Sequence, residues 1–188
     1  MRRFNFEPLS IEGLIRIIRH PMGDSRGFLE RLFCAKEFAE VGWRGSIAQI
    51  NRSYTLKRGT IRGIHFQYPP YSEKKVVICV KGEVWDIVVD IRKGSPTFLA
   101  WHGELLSENK TLALLIPEGC AHGFQTLTDD VEMLYFHSAF YAPEFEGGLN
   151  PLDPRLSIRW PVEITEISER DRAHPCLNDD FEGIEVKV

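Results

Sequence analysis

Three residue types that carry proton chemistry fall within one short stretch of the chain. Gly59-Thr-Ile-Arg-Gly-Ile-His-Phe-Gln67 places Arg62 and His65 on an apolar strand, and Lys75 opens the next apolar run, Lys75-Val-Val-Ile-Cys-Val80. A base, an anion clamp and a cation for a developing oxyanion are the parts needed to take a proton from the carbon beside a ketone. Alternation is an obstacle, because in an unbroken strand Arg62 and His65 face opposite ways. Gly63 lies between them, and a glycine inside a strand often marks a bulge that resets the alternation. On these residues alone, a hydrogen-bonded core histidine and a surface arginine explain the pattern equally well.

A further histidine closes Pro117-Glu-Gly-Cys-Ala-His122. This PxGxxH turn resembles the second motif of cupins, small double-sheet jelly rolls. Metal cupins ligate through this histidine together with an HxH pair and a glutamate. Here the matching place reads His65-Phe66-Gln67, so the second histidine of the pair is missing. Two histidines fall short of the three protein ligands of a catalytic metal centre, and no metal is expected.

The elements that must carry these residues are strands. At 188 residues the chain has the length of one domain with a real core, 1–188, its segment from about 155 packing near the site. Its composition, 43% hydrophobic and 27% charged, is that of an ordinary folded protein. A net charge of −4 gives no support to a nucleic-acid partner. The basic N-terminus has no apolar run behind it, and apolar runs reach only about five residues, so neither a signal peptide nor a membrane span is expected. Cys34, Cys79, Cys120 and Cys176 are scattered without a CxxC pair, which points to reduced thiols and the cytoplasm.

Leu14–Ile18 reads as the first strand, and extended structure resumes at Arg26 after the turn residues Gly23-Asp24-Ser25. Ala35–Val41 reads as one short helix capped by Gly42. Ser46–Tyr54 reads as a strand with Gln49, Asn51 and Ser53 on one face. A hairpin is expected at Lys81-Gly82, and Glu83–Ile91, apolar on both faces apart from Asp86 and Asp90, belongs between two packed sheets. Further strands are read from Pro96, at Leu112–Ile116 and at Val131–Phe136, with a turn from Leu105 to Lys110. Short strands at roughly ten-residue spacing argue an all-β double-sheet sandwich or barrel with few short helices. GxGxxG and P-loop patterns are absent.

Many of these motifs, in order, are similar to those of the dTDP-4-dehydrorhamnose 3,5-epimerase family. They include Asp24-Ser-Arg-Gly-Phe, Gln49-Ile-Asn-Arg-Ser, the Gly59–Gln67 stretch, Lys75-Val-Val and Gly82–Arg92. Ser95-Pro-Thr-Phe, Ile116–Phe124, Tyr135, Tyr141-Ala-Pro, Asp153-Pro, Ile158-Arg-Trp-Pro and Ser168-Glu-Arg-Asp171 follow. The resemblance covers about residues 10–175. It implies a cupin-like jelly-roll homodimer with shared active sites. Such an enzyme needs no cofactor and epimerises both carbons flanking the 4-keto group of a nucleotide-linked 6-deoxyhexose. Carried over by position, His65 is the base, Asp171 the carboxylate that orients it, Lys75 the cation for the enolate oxygen and Tyr135 the acid on the far ring face. His122 and Tyr141 line the substrate pocket, and Arg62, Gln49 and Asn51 hold diphosphate and sugar. Arg26 and Glu30 lie in the segment that reaches the partner subunit's site.

The chain departs from the family pattern at Met22, where an aromatic residue is common, and at Asn150-Pro-Leu-Asp153, and Arg26-Gly-Phe-Leu-Glu30 is one residue shorter than in some members. These changes cluster where the nucleobase and sugar would be read, not where protons move. A relative acting on another nucleotide-linked 4-keto sugar, or at one carbon only, fits the same motifs. A metal-dependent cupin and an inactive sugar-nucleotide binding protein are the readings from other classes. The missing HxH argues against the first. The joint presence of His65, Lys75, Tyr135 and Asp171 argues against the second.

Overall fold

The computed structural model describes residues 2–186. Fourteen strands run in chain order: β1 (Phe4–Pro8), β2 (Ile15–Arg19), β3 (Met22–Asp24), β4 (Gly27–Leu29), β5 (Gln49–Thr55), β6 (Thr60–Gln67) and β7 (Lys75–Lys81). Then follow β8 (Glu83–Asp90), β9 (Trp101–Ser107), β10 (Leu112–Ile116), β11 (Cys120–Thr126), β12 (Val131–His137), β13 (Glu146–Gly148) and β14 (Glu166–Ile167). Two helices are α1 (Ala35–Phe38) and α2 (Glu169–Ala173). One sheet has the order β1-β2-β10-β7-β12-β5 and the other β13-β6-β11-β8-β9, with β14 parallel on β6. This is the mostly-β double-sheet sandwich expected.

Between the sheets pack Val77, Cys79 and Met133 of the first and Val84, Val88 and Phe124 of the second. The outer face of the first sheet is covered by Phe4, Phe38 of α1 and Trp43. The outer face of the second, with Ile64, Phe66, Ile87 and Val89, lies under Leu149, Leu156 and the C-terminal segment. Each fully buried aliphatic side chain of this kind contributes about 1.5–3 kcal/mol. The double apolar face of β8 therefore has a different cause from the one expected. One face meets the opposing sheet, and the other is covered by C-terminal chain.

The Lys81-Gly82 turn is not a hairpin. It carries the chain from β7 in one sheet to β8 in the other, with Gly82 at φ +75°. A strand, β1, precedes the one expected first, where Phe4 inserts into the core and β1 pairs with β2. The expected helix is split into α1 and a 3₁₀ turn, Ala39–Val41, and Gly42 caps it at φ +87°. The strand expected from Pro96 starts only at Trp101. Residues 92–97 instead wrap around the buried Asp90 carboxylate, which accepts from Arg92, Ser95 and Thr97 and is pulled down to about 2. All four cysteines are free, and among the described residues no helix is long and apolar enough to cross a membrane.

Two features of the fold position the site. In the β6–β11 pairing His65 faces His122 but Arg62 faces Phe124, so β6 carries one extra residue between them. Gly63 makes this possible at φ +107°. A Cβ there would lie 2.7 Å from the Gly123 Cα and from the His122 carbonyl oxygen, so Gly63→Ala would force β6 and β11 apart. The second feature is the docking of the C-terminal segment. The Gln125 amide donates to the Val162 carbonyl at 3.0 Å, the Thr165 N–H donates to Gly59 at 3.1 Å, and β14 then pairs with Thr60 and Ile61. Ser168 caps α2 by accepting from the Asp171 N–H at 3.0 Å.

Candidate active site

A cavity of about 580 Å³ opens along the sandwich, with walls from both sheets. His65 and His122 reach it from β6 and β11, and Gln49, Asn51, Lys75 and Tyr135 from β5, β7 and β12. Arg62 and Tyr141 also line it. The bulge at Gly63 is what puts Arg62 and His65 on the same side, so the parity obstacle is removed as the glycine suggested.

His65 Nε2 lies 2.6 Å from Asp171 Oδ1, and Asp171 Oδ2 accepts from the Gly63 N–H at 3.2 Å. Burial pushes the Asp171 carboxyl upward, but the His65 bond and charge, the Gly63 N–H and the Ser168 hydroxyl outweigh it and hold it below the usual carboxylate value. An ionised carboxylate can only accept, so the neutral imidazole donates from Nε2 and keeps Nδ1 free to take a proton. This is the base–orienter geometry of acid–base enzymes.

The opposing wall carries Tyr135, whose hydroxyl lies 3.0 Å from Ser53 Oγ. Burial raises its pKa well above that of a free phenol, against the Ser53 bond, so it stays protonated and able to donate. The Lys75 ammonium is 3.0 Å from Glu73 Oε1. Arg62 is braced by Thr55 Oγ1 at 2.8 Å and the Tyr54 carbonyl at 3.1 Å, and no carboxylate among the described residues pairs with it. That leaves a fixed guanidinium for an anion. Gln49 Oε1 accepts from the Tyr141 N–H at 2.8 Å, and the Tyr141 hydroxyl donates to Glu146 at 2.7 Å.

Arg26 and Glu30 do not enter the cavity of their own chain. Arg26 pairs with Asp24 at 2.6 Å on the exposed β3–β4 hairpin, and Glu30 is held at 2.5 Å by the buried Arg19. Residues that sequence reasoning missed are Glu73 and His137, which line the cavity, and Asp86, which binds His122 Nε2 at 2.9 and 3.0 Å. Asp86 carried a signal, being a charge on a strand apolar on both faces. Glu73 carried a weaker one, two residues before Lys75.

Among the described residues, one group has donors close enough to share an ion: His65, Asp171 and His174, within 4.8 Å. Its His65–Asp171 contact at 2.6 Å is a hydrogen bond, shorter than the roughly 3.3 Å that separates two ligands on a tetrahedral ion. The two facing histidines, His65 and His122, are bound to separate carboxylates rather than converging. The donor set does not fit a cupin metal centre.

A double-sheet cupin-type sandwich with an oriented imidazole on one wall and a protonated phenol on the other defines an acid–base isomerase. Residues 8–179 match the family model for dTDP-4-dehydrorhamnose 3,5-epimerase, and the chain belongs to that family of sugar epimerases. It is 45% identical over 150 residues to the dTDP-4-dehydrorhamnose 3,5-epimerase of Shigella flexneri, spanning 79% of this chain and 82% of that one. It is also 40% identical over 166 residues to a dTDP-4-dehydrorhamnose 3-epimerase of Streptomyces niveus, spanning 88% and 80%. Among solved structures, the dTDP-6-deoxy-D-glucose-3,5-epimerase of Legionella pneumophila in complex with dTDP-4-keto-L-rhamnose superposes with a TM-score of 0.91. Identity is 36%, with 98% of this chain and all of that one covered. ChmJ, a 3'-monoepimerase from Streptomyces bikiniensis in complex with dTDP-quinovose, gives 0.85 at 37% identity, covering 90% and 86%.

Proposed function

We propose that this chain epimerises a dTDP-linked 4-keto-6-deoxyhexose at the two carbons flanking the ketone, C3 and C5. His65 removes the α-proton, Asp171 holds the imidazole in the accepting tautomer, and Lys75 meets the charge on the enolate oxygen. Tyr135 returns a proton to the opposite face of the ring. The observation that carries this reading is the arrangement of the two groups. A carboxylate-oriented base stands on one sheet and a protonated phenol on the other, across one cavity. Inversion requires a proton acceptor on one face of the carbon and a donor on the other, and two facing sheets can supply them. Arg62, Gln49 and Asn51 hold the diphosphate and sugar, with His122 and Tyr141 lining the pocket. Protons are taken and returned with no net redox change, so nicotinamide is not required, and with His65 and His122 each on its own carboxylate the enolate charge falls to Lys75 rather than to a metal.

The enzyme works as a homodimer. The β3–β4 hairpin exposes Met22, Phe28 and Leu29, and β5, at the edge of its sheet, exposes Ile50 and Tyr54, with Leu56 exposed just beyond it. Apolar surface of this extent on a hairpin and an open edge suits a second copy, which would carry Arg26 to the neighbouring site. A single-carbon reading is kept because a 3-epimerase at 40% identity stands beside 3,5-epimerases at 41% and 45%.

Proton NMR in D₂O with a panel of nucleotide-linked 4-keto sugars tests the reading. Loss of both α-hydrogens of the dTDP sugar is expected, and loss of one alone selects the single-carbon activity. His65→Ala should abolish wash-in. Tyr135→Phe should let deuterium enter while epimerised product falls about 10²- to 10⁴-fold. Equal loss of wash-in and product in folded Tyr135→Phe protein would remove Tyr135 from the acid role.

A further inference from the structure

Lys75 is not held alone. Glu73 is almost wholly buried in the cavity wall and divides its carboxylate between two partners. Oε1 takes the Lys75 ammonium at 3.0 Å, and Oε2 takes His137 Nδ1 at 2.9 Å. Burial pushes Glu73 upward, but the charge of Lys75 and the bond and charge of His137 overcome it, so the carboxylate is ionised. An ionised Glu73 accepts from both neighbours, which fixes Nδ1 of His137 as a donor and, in the neutral ring, leaves Nε2 as an acceptor. That nitrogen faces the Asn51 amide at 3.4 Å. The Asn51 carbonyl in turn accepts from Gln49 at 3.4 Å, and Gln49 accepts from the Tyr141 N–H at 2.8 Å. The Tyr135 ring lies beside His137, with centroids 6.2 Å apart and planes at 26°. The inner contacts of this chain are short and the two through Asn51 are long. Its loose links thus lie on either side of Asn51, where the diphosphate and sugar are proposed to touch.

We infer that Glu73 and His137 are positioning residues that couple Asn51 and Gln49 to the Lys75 ammonium, so that occupation of the diphosphate end sets the cation against the enolate oxygen. The inference rests on the proposed roles of Lys75 and Asn51. Lysine is a point charge on a flexible four-carbon stem, and it needs such a brace to act at one oxygen. Contacts made to the non-reacting part of a substrate raise turnover when they are used to arrange the reacting centre. A plain structural ion pair would need Glu73 and Lys75 only. It would not require two further polar side chains leading from the carboxylate to the cavity wall at β5.

A double-mutant cycle tests it, with turnover of the dTDP sugar, KM and thermal melting read on Glu73→Gln, Asn51→Ala and the double variant. Loss of the brace displaces the ammonium. Glu73→Gln is thus expected to lower kcat by about 10- to 100-fold with KM little changed. The kcat loss from Asn51→Ala should then largely vanish in the Glu73→Gln background, because the connection is already cut. Losses in kcat that multiply would overturn the inference, as would a Glu73→Gln protein that melts lower but turns over normally. Should Glu73→Gln fail to fold, His137→Asn replaces it in the same cycle with the same outcomes. Deuterium wash-in by His65→Ala reports separately on the base, so a failed coupling and a failed reading of the reaction are distinguishable.

Discussion

Two histidine–carboxylate pairs face the same cavity from neighbouring strands, and they are built in opposite ways. His65 is cross-strand partner to His122, and each binds a carboxylate at 2.6 and 2.9 Å. Asp171 comes from a short helix in a docked terminal segment, where a backbone N–H and a hydroxyl add to the histidine bond and keep it ionised. Asp86 stands on a central strand, wholly buried, and its only side-chain hydrogen bonds among the described residues are to His122. Burial raises its pKa, against the charge and bond of His122. A histidine whose carboxylate is kept ionised by further hydrogen bonds is free to cycle protons. A histidine paired with a carboxylate that resists ionisation shares a proton and holds still. The first pair suits a base and the second a pocket wall.

The largest expected effect separates the two directly. Asp171→Asn should lower kcat by about 10³- to 10⁴-fold, because the amide favours the wrong imidazole tautomer, with a stability loss of about 1–3 kcal/mol from the disturbed buried hydrogen bonds. Asp86→Asn should cost no more than about tenfold in kcat but about 1–3 kcal/mol in stability, since it disturbs a hydrogen bond with no water to replace it. Turnover and urea melts on both proteins are the measurements. A reversal, with Asp86 dominating turnover, would assign the base to His122.

Acid dependence gives a smaller effect with opposite signs. Asp171 is lowered by folding, so its stabilisation is present above the ordinary carboxylate value of 3.8 and fades as pH falls through the lowered value. Asp86 is raised by folding, so its contribution is present below 3.8 and is lost as pH rises through the raised value. In urea melts from pH 7 downward, the stability gap between wild type and Asp86→Asn should widen with acidification. The gap between wild type and Asp171→Asn should close below 3.8. Parallel curves for all three proteins would show that the two carboxylates are not in opposite states.

The smallest expected effect is none. Protein stripped with chelator should keep full activity, because His65 and His122 are each committed to a carboxylate. Activity lost on chelation and restored by a single divalent ion would mean that the pairs open to share a metal.

The sequence by itself determined most of the core strands, the helix cap and the two-sheet class, because side-chain alternation and turn chemistry are local. It also determined the bulge, since only glycine accommodates φ +107° with a neighbouring backbone 2.7 Å from where a Cβ would stand. The family motifs named most of the residues that line the cavity, yet nothing local joins His65 to Asp171 across 106 positions. Tertiary structure decided that contact, through Gln125 gripping Val162 and β14 pairing with β6, which brings a surface-like charged run down onto the base. It decided as well that Lys81-Gly82 crosses between sheets, that Glu30 serves Arg19 and that Glu73 braces Lys75. Charged residues of these kinds are ordinary on a solvated surface, and alternation says only which side of a strand they occupy. What they touch depends on which distant strand is brought opposite, and that is settled by burial of the core as a whole.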